Sequence, residues 1–261
     1  MKPLFYLSLL LLFIPSAASS HRVGVWCTNS YENGWQDSIY SEYERCDALV
    51  DDIGDTDTIQ FYAPIDGAKS WIEETNDQWM TENGDLVWIT THGGYGYNDA
   101  NLCMWDEDVY VHSTDMRLGD DSYGTSIFSM YSCETMNNDD GRRVLRWMNA
   151  LEGGLRLLCG SINDLVDSYW TINDGVRYSN SLQATVPLAY AWRDAFVSNY
   201  THEDLAVMAC STTFGDATWR LNNMRWKCPY FPLYVFNSPI FPRRRDGDCN
   251  SFVTYEFENV Y

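Results

Sequence analysis

Six short apolar runs, each bounded by polar or glycine-bearing sequence, constrain this chain more than any other feature. They are Val23 to Cys27, Thr58 to Ala63, Leu86 to Thr91, Ser126 to Ser132, Leu155 to Cys159 and Leu205 to Cys210. Runs of this length read as strands, because helices in folded domains need about 10–12 residues. The spacing predicts helices between them. One runs from Ser38 to Ile53, with Ile39, Tyr43, Cys46 and Val50 on one face; another from Ala68 to Met80 carries Trp71, Thr75 and Trp79 on one side. Further helices are expected over Asn138 to Leu151 and Val186 to Ser198. Strand followed by helix, repeated, is the pattern of a mostly parallel sheet with helical crossovers, so the expected fold class is an α/β three-layer sandwich. The C-terminal stretch, with Pro229, Pro232, Pro239 and Pro242, reads as irregular until a strand at Phe252 to Phe257. It is expected to wrap the domain, closed by a Cys228 to Cys249 bridge.

Ahead of these runs, Lys2, the apolar stretch from Leu4 to Ile14 and the small residues Ser16 to Ser20 have the form of a secretory signal peptide. Residues 1–20 are therefore expected to be removed, leaving residues 21–261 as a single secreted or extracytoplasmic domain. No later apolar run approaches the ~20 residues of a membrane-spanning helix. A formal net charge of −20 makes nucleic acid and anionic membranes poor partners. All eight cysteines follow the leader, where an oxidising destination favours pairing. None of them has CxxC spacing and only four histidines occur, so neither a zinc site nor any other metal or cofactor is expected. Asn199-Tyr200-Thr201 is a glycosylation acceptor sequence, and Arg243-Arg244-Arg245 a basic loop or processing site.

His92 and Cys133 carry the chemistry. Each directly follows an apolar strand, and in open α/β sheets functional groups gather beyond the carboxyl ends of the strands. If the two strands are neighbours, both side chains enter one cleft. A thiolate can then attack a carbonyl carbon while an imidazole protonates the departing amine. Gly93 and Gly94 allow close backbone approach, and the N–H groups of Gly93 and Cys133 would form an oxyanion hole. A helix starting after Cys133 would lower the thiol pKa.

At these residues the chain resembles the caspase-like cysteine peptidases, whose pattern is an apolar strand ending in His-Gly and a later one ending in the nucleophilic Cys. Ile89-Thr90-Thr91-His92-Gly93 and Ser132-Cys133-Glu134-Thr135-Met136 are similar to the two blocks of the legumain family. Val23-Gly24-Val25-Trp26 with Asn33-Gly34-Trp35 is similar to its opening strand and loop. The resemblance implies a caspase-like sandwich and hydrolysis of peptide bonds by a Cys133–His92 dyad, with Gly93 in the oxyanion hole and a peptide or protein as substrate. Where legumains carry a substrate-selecting acid, two residues before the cysteine, this chain has Tyr131, so an asparagine preference does not carry over. Tyr131, Glu134 and Gly94 are the residues expected to contact substrate. Trp147, the segment Gly154 to Gly160 and Ala191-Trp192 resemble a second group, uncharacterised bacterial proteins of caspase-like type.

Two other classes stay open. Eight cysteines pair most simply as four bridges, which would make Cys133 a half-cystine and the protein a catalytically silent module binding a ligand or partner. Eleven tryptophans would suit a glycan-binding protein, although Trp71, Trp79, Trp88 and Trp147 read better as core. His92 alone could be a turn histidine. His112 and His202 read as ordinary edge or surface residues, and Glu134 and Asp115 either as solvated acids or as partners for a basic substrate group.

Overall fold

A computed structural model describes residues 21–28, 40–63, 71–72, 84–104, 110–119, 125–152, 154–166, 171–197, 203–226 and 249–260. Its centre is a seven-stranded sheet in the order β10-β9-β8-β7-β3-β1-β2. The strands are β1 (Arg22–Cys27), β2 (Thr58–Ala63), β3 (Leu86–Thr90), β7 (Ile127–Tyr131), β8 (Leu157–Ser161), β9 (Glu203–Ser211) and β10 (Ser251–Val260). From β2 to β8 all neighbours are parallel, while β9 and β10 each run antiparallel to the strand before them in the sheet. The mostly parallel α/β architecture expected from the apolar runs is the one observed.

Alternation along the buried strands divides the core into two layers. Leu86 and Trp88 face α1 (Tyr40–Ile53), α3 (Asp174–Gln183), α4 (Leu188–Ala195) and α5 (Phe214–Asn223), where they pack with Leu49, Tyr178, Trp192 and Leu221. Val87 and Ile89 face α2 (Arg143–Glu152) and a second sheet, β4 (Gly93–Tyr95), β5 (Ala100–Cys103) and β6 (Tyr110–His112), with Trp147, Leu102 and Val111 beside them. Trp88, Trp147 and Trp192 are fully buried. Truncating such a side chain to alanine costs about 3–5 kcal/mol.

Several details differ from the sequence expectations. The buried face of α1 is Glu42, Arg45, Cys46, Leu49 and Ile53, and Tyr43 is 39% exposed. Apolar spacing chose the wrong stripe because this helix buries a guanidinium and a carboxylate. The helices α3 and α5 and the β4–β6 sheet arise from polar segments without an apolar period. The bridge closing the C-terminal segment joins Cys249 to Cys210, not to Cys228. Pairing of β10 with β9 sets Phe252 opposite Cys210, which carries Cys249 to the end of β9. Residues 1–20, Asn33 to Trp35, Trp79, Asn199 to Thr201, His202, Cys228 and Arg243 to Arg245 lie outside the described residues, as does most of the expected helix from Ala68 to Met80.

Candidate functional site

The parallel register of β3 and β7 lays the segments that carry the two candidate residues side by side. Leu86 pairs with Ile127 and Thr90 with Tyr131, and the ladder continues with Thr91 N–H donating to the Tyr131 carbonyl at 3.2 Å. His92 and Cys133 each stand two residues past these paired strand ends, at the carboxyl edge of the sheet. Both are half-buried.

Beyond His92 the chain enters β4 without a break. Cys103 N–H donates to the His92 carbonyl at 2.9 Å and Gly96 N–H to the Asp99 carbonyl at 2.8 Å. These two bonded pairs fix the alternation of the antiparallel ladder, which makes Gly93 and Leu102 a non-hydrogen-bonded pair. The Gly93 N–H therefore turns away from β5. A β-carbon on Gly93 would clash with Ser132 Oγ and come within 2.8 Å of the Cys133 carbonyl, so only glycine allows this approach. At Gly94 a β-carbon would meet open space. Among the described residues the Cys133 N–H has no hydrogen-bond partner.

After Cys133 the chain makes a turn, and the helix expected over Asn138 to Leu151 follows it as α2. Glu134 adopts a left-handed conformation, with φ at 53°, which an L-residue takes only when its surroundings enforce it. Here Glu134 N–H donates to the Asn163 carbonyl at 3.0 Å and Met136 N–H to the Ser161 carbonyl at 2.7 Å, which pins the turn to the end of β8. That helix starts only at Arg143, ten residues past Cys133, so its N-terminus does not directly follow the thiol as expected. The Cys133 thiol is instead pushed up by burial. The Leu165 backbone opposes that shift, while Asp164, Glu134 and Glu203 add to it. Leu165 N–H donates to Cys133 Sγ at 3.3 Å, and Sγ lies 3.9 Å from the Leu165 carbonyl oxygen.

The helix α2 holds the turn from below through groups that sequence reasoning had not assigned to the site. Arg143 Nε donates to the Met136 carbonyl, Arg146 Nη1 to the Asn137 carbonyl at 3.0 Å, and Trp147 Nε1 to the Thr135 carbonyl at 2.8 Å. Arg146 Nε also donates to the Gly96 carbonyl at 2.8 Å, which ties the β4–β5 turn to the same support. Their spacing of three and four puts all three on one helix face, and that spacing was the available signal.

Tyr131, expected to contact substrate, is 4% exposed and stands beneath the site instead of lining it. Its hydroxyl donates to the Val166 carbonyl at 3.1 Å, and the Arg45 guanidinium lies 3.5 Å from its ring centroid. Asp174 shares this buried layer, and burial raises its pKa to about 6 against the pull of Arg45 and Arg177. Glu134 stays beside Cys133. Asp115 sits on a 3-10 turn, Ser113–Asp115, packed against α2. His112 is on β6, with Nδ1 3.0 Å from Asp99 Oδ2.

Among the described residues no cluster of three or more His, Cys, Asp or Glu side chains is placed to hold a metal ion, and no helix is long and apolar enough to cross a membrane. A mostly parallel α/β domain, with His92 and Cys133 each just past one of two neighbouring strands at its carboxyl edge, is the class these features define. Residues 66–228 match a family described as a domain of unknown function (DUF6345), and the chain belongs to that family. The match encloses His92, Cys133, the α2 supports and Trp192. No curated protein matches the chain.

Proposed function

We propose that the protein is an exported cysteine hydrolase of caspase-like type acting on peptide bonds. The observation that carries this reading is that His92 and Cys133 each stand two residues past the paired ends of two adjacent parallel strands. Cys133 Sγ attacks the substrate carbonyl carbon. The Gly93 and Cys133 N–H groups receive the oxyanion, and His92 passes the thiol proton to the departing amine. Water then hydrolyses the thioester, releasing the carboxylate and restoring the thiol. The Cys133 N–H, without a partner among the described residues, and the outward turn of the Gly93 N–H support the oxyanion assignment, and the Cys210–Cys249 bridge supports export.

Alkylation of the unreduced protein followed by peptide mass spectrometry tests the reading. The expected result is a label on Cys133, and loss of reactivity toward a peptide acyloxymethyl ketone in Cys133→Ala and His92→Ala. A Cys133 found quantitatively disulfide-bonded would end it.

One observation favours a catalytically silent binding module instead. Both hydrogen-bond contacts of the Cys133 thiol are to the Leu165 backbone, and burial disfavours the thiolate. That reading expects no covalent adduct at Cys133 with any peptide electrophile.

A further inference from the structure

At the amino edge of the sheet, opposite Cys133, a carboxylate is buried where several elements meet. Asp57 lies between α1 and β2 and is 7% exposed. Trp226, just past α5, donates from Nε1 to its Oδ2 at 3.0 Å, and Gln183 of α3 brings Nε2 to 3.5 Å from the same oxygen. The other oxygen, Oδ1, accepts from the backbone N–H of His21 at 3.2 Å.

His21 is held at three points. Its nitrogen meets Asp57, its carbonyl accepts from Thr58 N–H at 2.9 Å and so opens the β1–β2 ladder, and its ring centroid lies 4.4 Å from that of the fully buried Trp226. Asp85, on the same edge, is engaged by the next residue, Arg22, with Nη2 2.9 Å from Oδ1. Asp57 is thus the carboxylate that the His21 nitrogen addresses.

That nitrogen is also the atom that removal of residues 1–20 would liberate. Ala18 and Ser20 put small residues third and first before the Ser20–His21 bond, as a leader peptidase requires. In the uncut chain the His21 nitrogen is an amide, a single neutral donor. After the cut it is an ammonium with three donors, beside a carboxylate it already touches. Charge-assisted hydrogen bonds are roughly twice as strong as neutral ones. A cut two residues earlier would leave the ammonium up to about 7 Å further along the chain and keep an amide at Asp57.

We propose that His21 is the mature N-terminus and that Asp57 is the built receptor for its α-ammonium group. Leader peptidase adds water across the Ser20–His21 bond; Ser20 leaves as a carboxylate, and the His21 amine takes up a proton. A neutral hydrogen bond thereby becomes an ion pair that ties the first strand to β2 and to Trp226. The exported domain is more stable than its precursor for this reason, whether or not Cys133 reacts.

Two measurements test the proposal. The first is N-terminal peptide mass spectrometry of the full chain after export from a secreting host, expected to find His21 as the first residue. The second is thermal denaturation of chains beginning at His21 or at Ser16, each refolded with the Cys210–Cys249 bridge and each with and without Asp57→Asn. The chain beginning at His21 should melt about 2–4 °C above the extended one, and the difference should vanish in the Asp57→Asn pair. Acetylating the α-amine of the chain beginning at His21 removes the charge without altering Asp57, and should cost the same few degrees even if Asp57→Asn does not fold. A mature end at any other residue, equal melting of the free and acetylated chains, or a difference that survives Asp57→Asn would overturn the proposal.

Discussion

Gly93 and Cys133 meet backbone to backbone, so that a β-carbon on Gly93 would come within 2.8 Å of the Cys133 carbonyl oxygen. That oxygen belongs to a turn pinned on three sides, so it cannot yield cheaply. Gly93→Ala is therefore expected to push the His92 segment off the Cys133 turn, at about 1–3 kcal/mol of stability. Gly94→Ala, facing open space, should stay within about 0.5 kcal/mol of the parent. Thermal denaturation of the two variants checks the contrast, and equal melting temperatures would refute the contact.

The second prediction concerns Cys133 ionisation. Burial raises the thiol pKa above its ordinary 9.0, with nearby carboxylates adding to the shift. A raised value means that the thiolate is absent at neutral pH and grows in only as pH climbs past 9.0. Iodoacetamide labelling of the ligand-free protein should accelerate throughout the alkaline range. A rate already level from about pH 6 upward would mean that an imidazolium stabilises the thiolate before substrate arrives.

Much of the architecture was legible because strands buried on both faces are continuous apolar runs, and Leu86 to Thr90 or Ile127 to Tyr131 have no other reading. The placement of His92 and Cys133 just past two neighbouring strands followed from the same runs. What stayed hidden depends on polar side chains that pair only in three dimensions. Arg45 and Glu42 turn the buried face of α1 away from its apolar stripe. Glu134 is held left-handed by the Asn163 carbonyl, a partner 29 positions away that no local pattern indicates. The turn built by the same long-range bonding separates Cys133 from the start of α2 at Arg143, and the expected lowering of the thiol pKa goes with it.

The support from α2 yields a third prediction. Trp147 is fully buried and its ring nitrogen is the donor to the Thr135 carbonyl. Trp147→Phe keeps most of the ring and removes the donor, at a cost of about 1–3 kcal/mol for the carbonyl left behind. If the bond positions the turn, Cys133 labelling at 20 °C below the melting midpoint should also slow relative to the parent. A variant that melts earlier yet labels at the parental rate would assign Trp147 to packing alone.

Asp174 gives a stability signature in acid. Its carboxyl titrates at about 6 in the folded chain against an ordinary 3.8, mainly because it is buried. The folded state thus holds the proton longer than the unfolded chain, so the stabilising contribution is complete below pH 3.8 and shrinks as pH rises toward 6. The change is on the order of 2–3 kcal/mol. Relative to Asp174→Asn, the parent should lose melting temperature across that window and run parallel above it. Parallel curves throughout would show that Arg45 and Arg177 compensate the burial fully.

The remaining cysteines decide whether Cys133 is free to react. Cys27 ends β1 and Cys46 lies within α1; both are fully buried free thiols, and the nearby Cys46 pushes the Cys27 pKa up. The two sulfurs are expected to join when an external disulfide such as oxidised glutathione accepts the two electrons and the two thiol protons leave. Closing a loop of that size adds about 3 kcal/mol in the chain-entropy account. Refolding in a glutathione buffer followed by unreduced peptide mapping should find Cys27 linked to Cys46 beside the Cys210–Cys249 bridge, with Cys133 alkylated. Cys27 and Cys46 both recovered as alkylated thiols would make them a buried thiol pair and leave the Cys133 assignment intact. Cys133 recovered in a link to any other cysteine would remove the nucleophile, and the carboxyl edge would then act by binding alone.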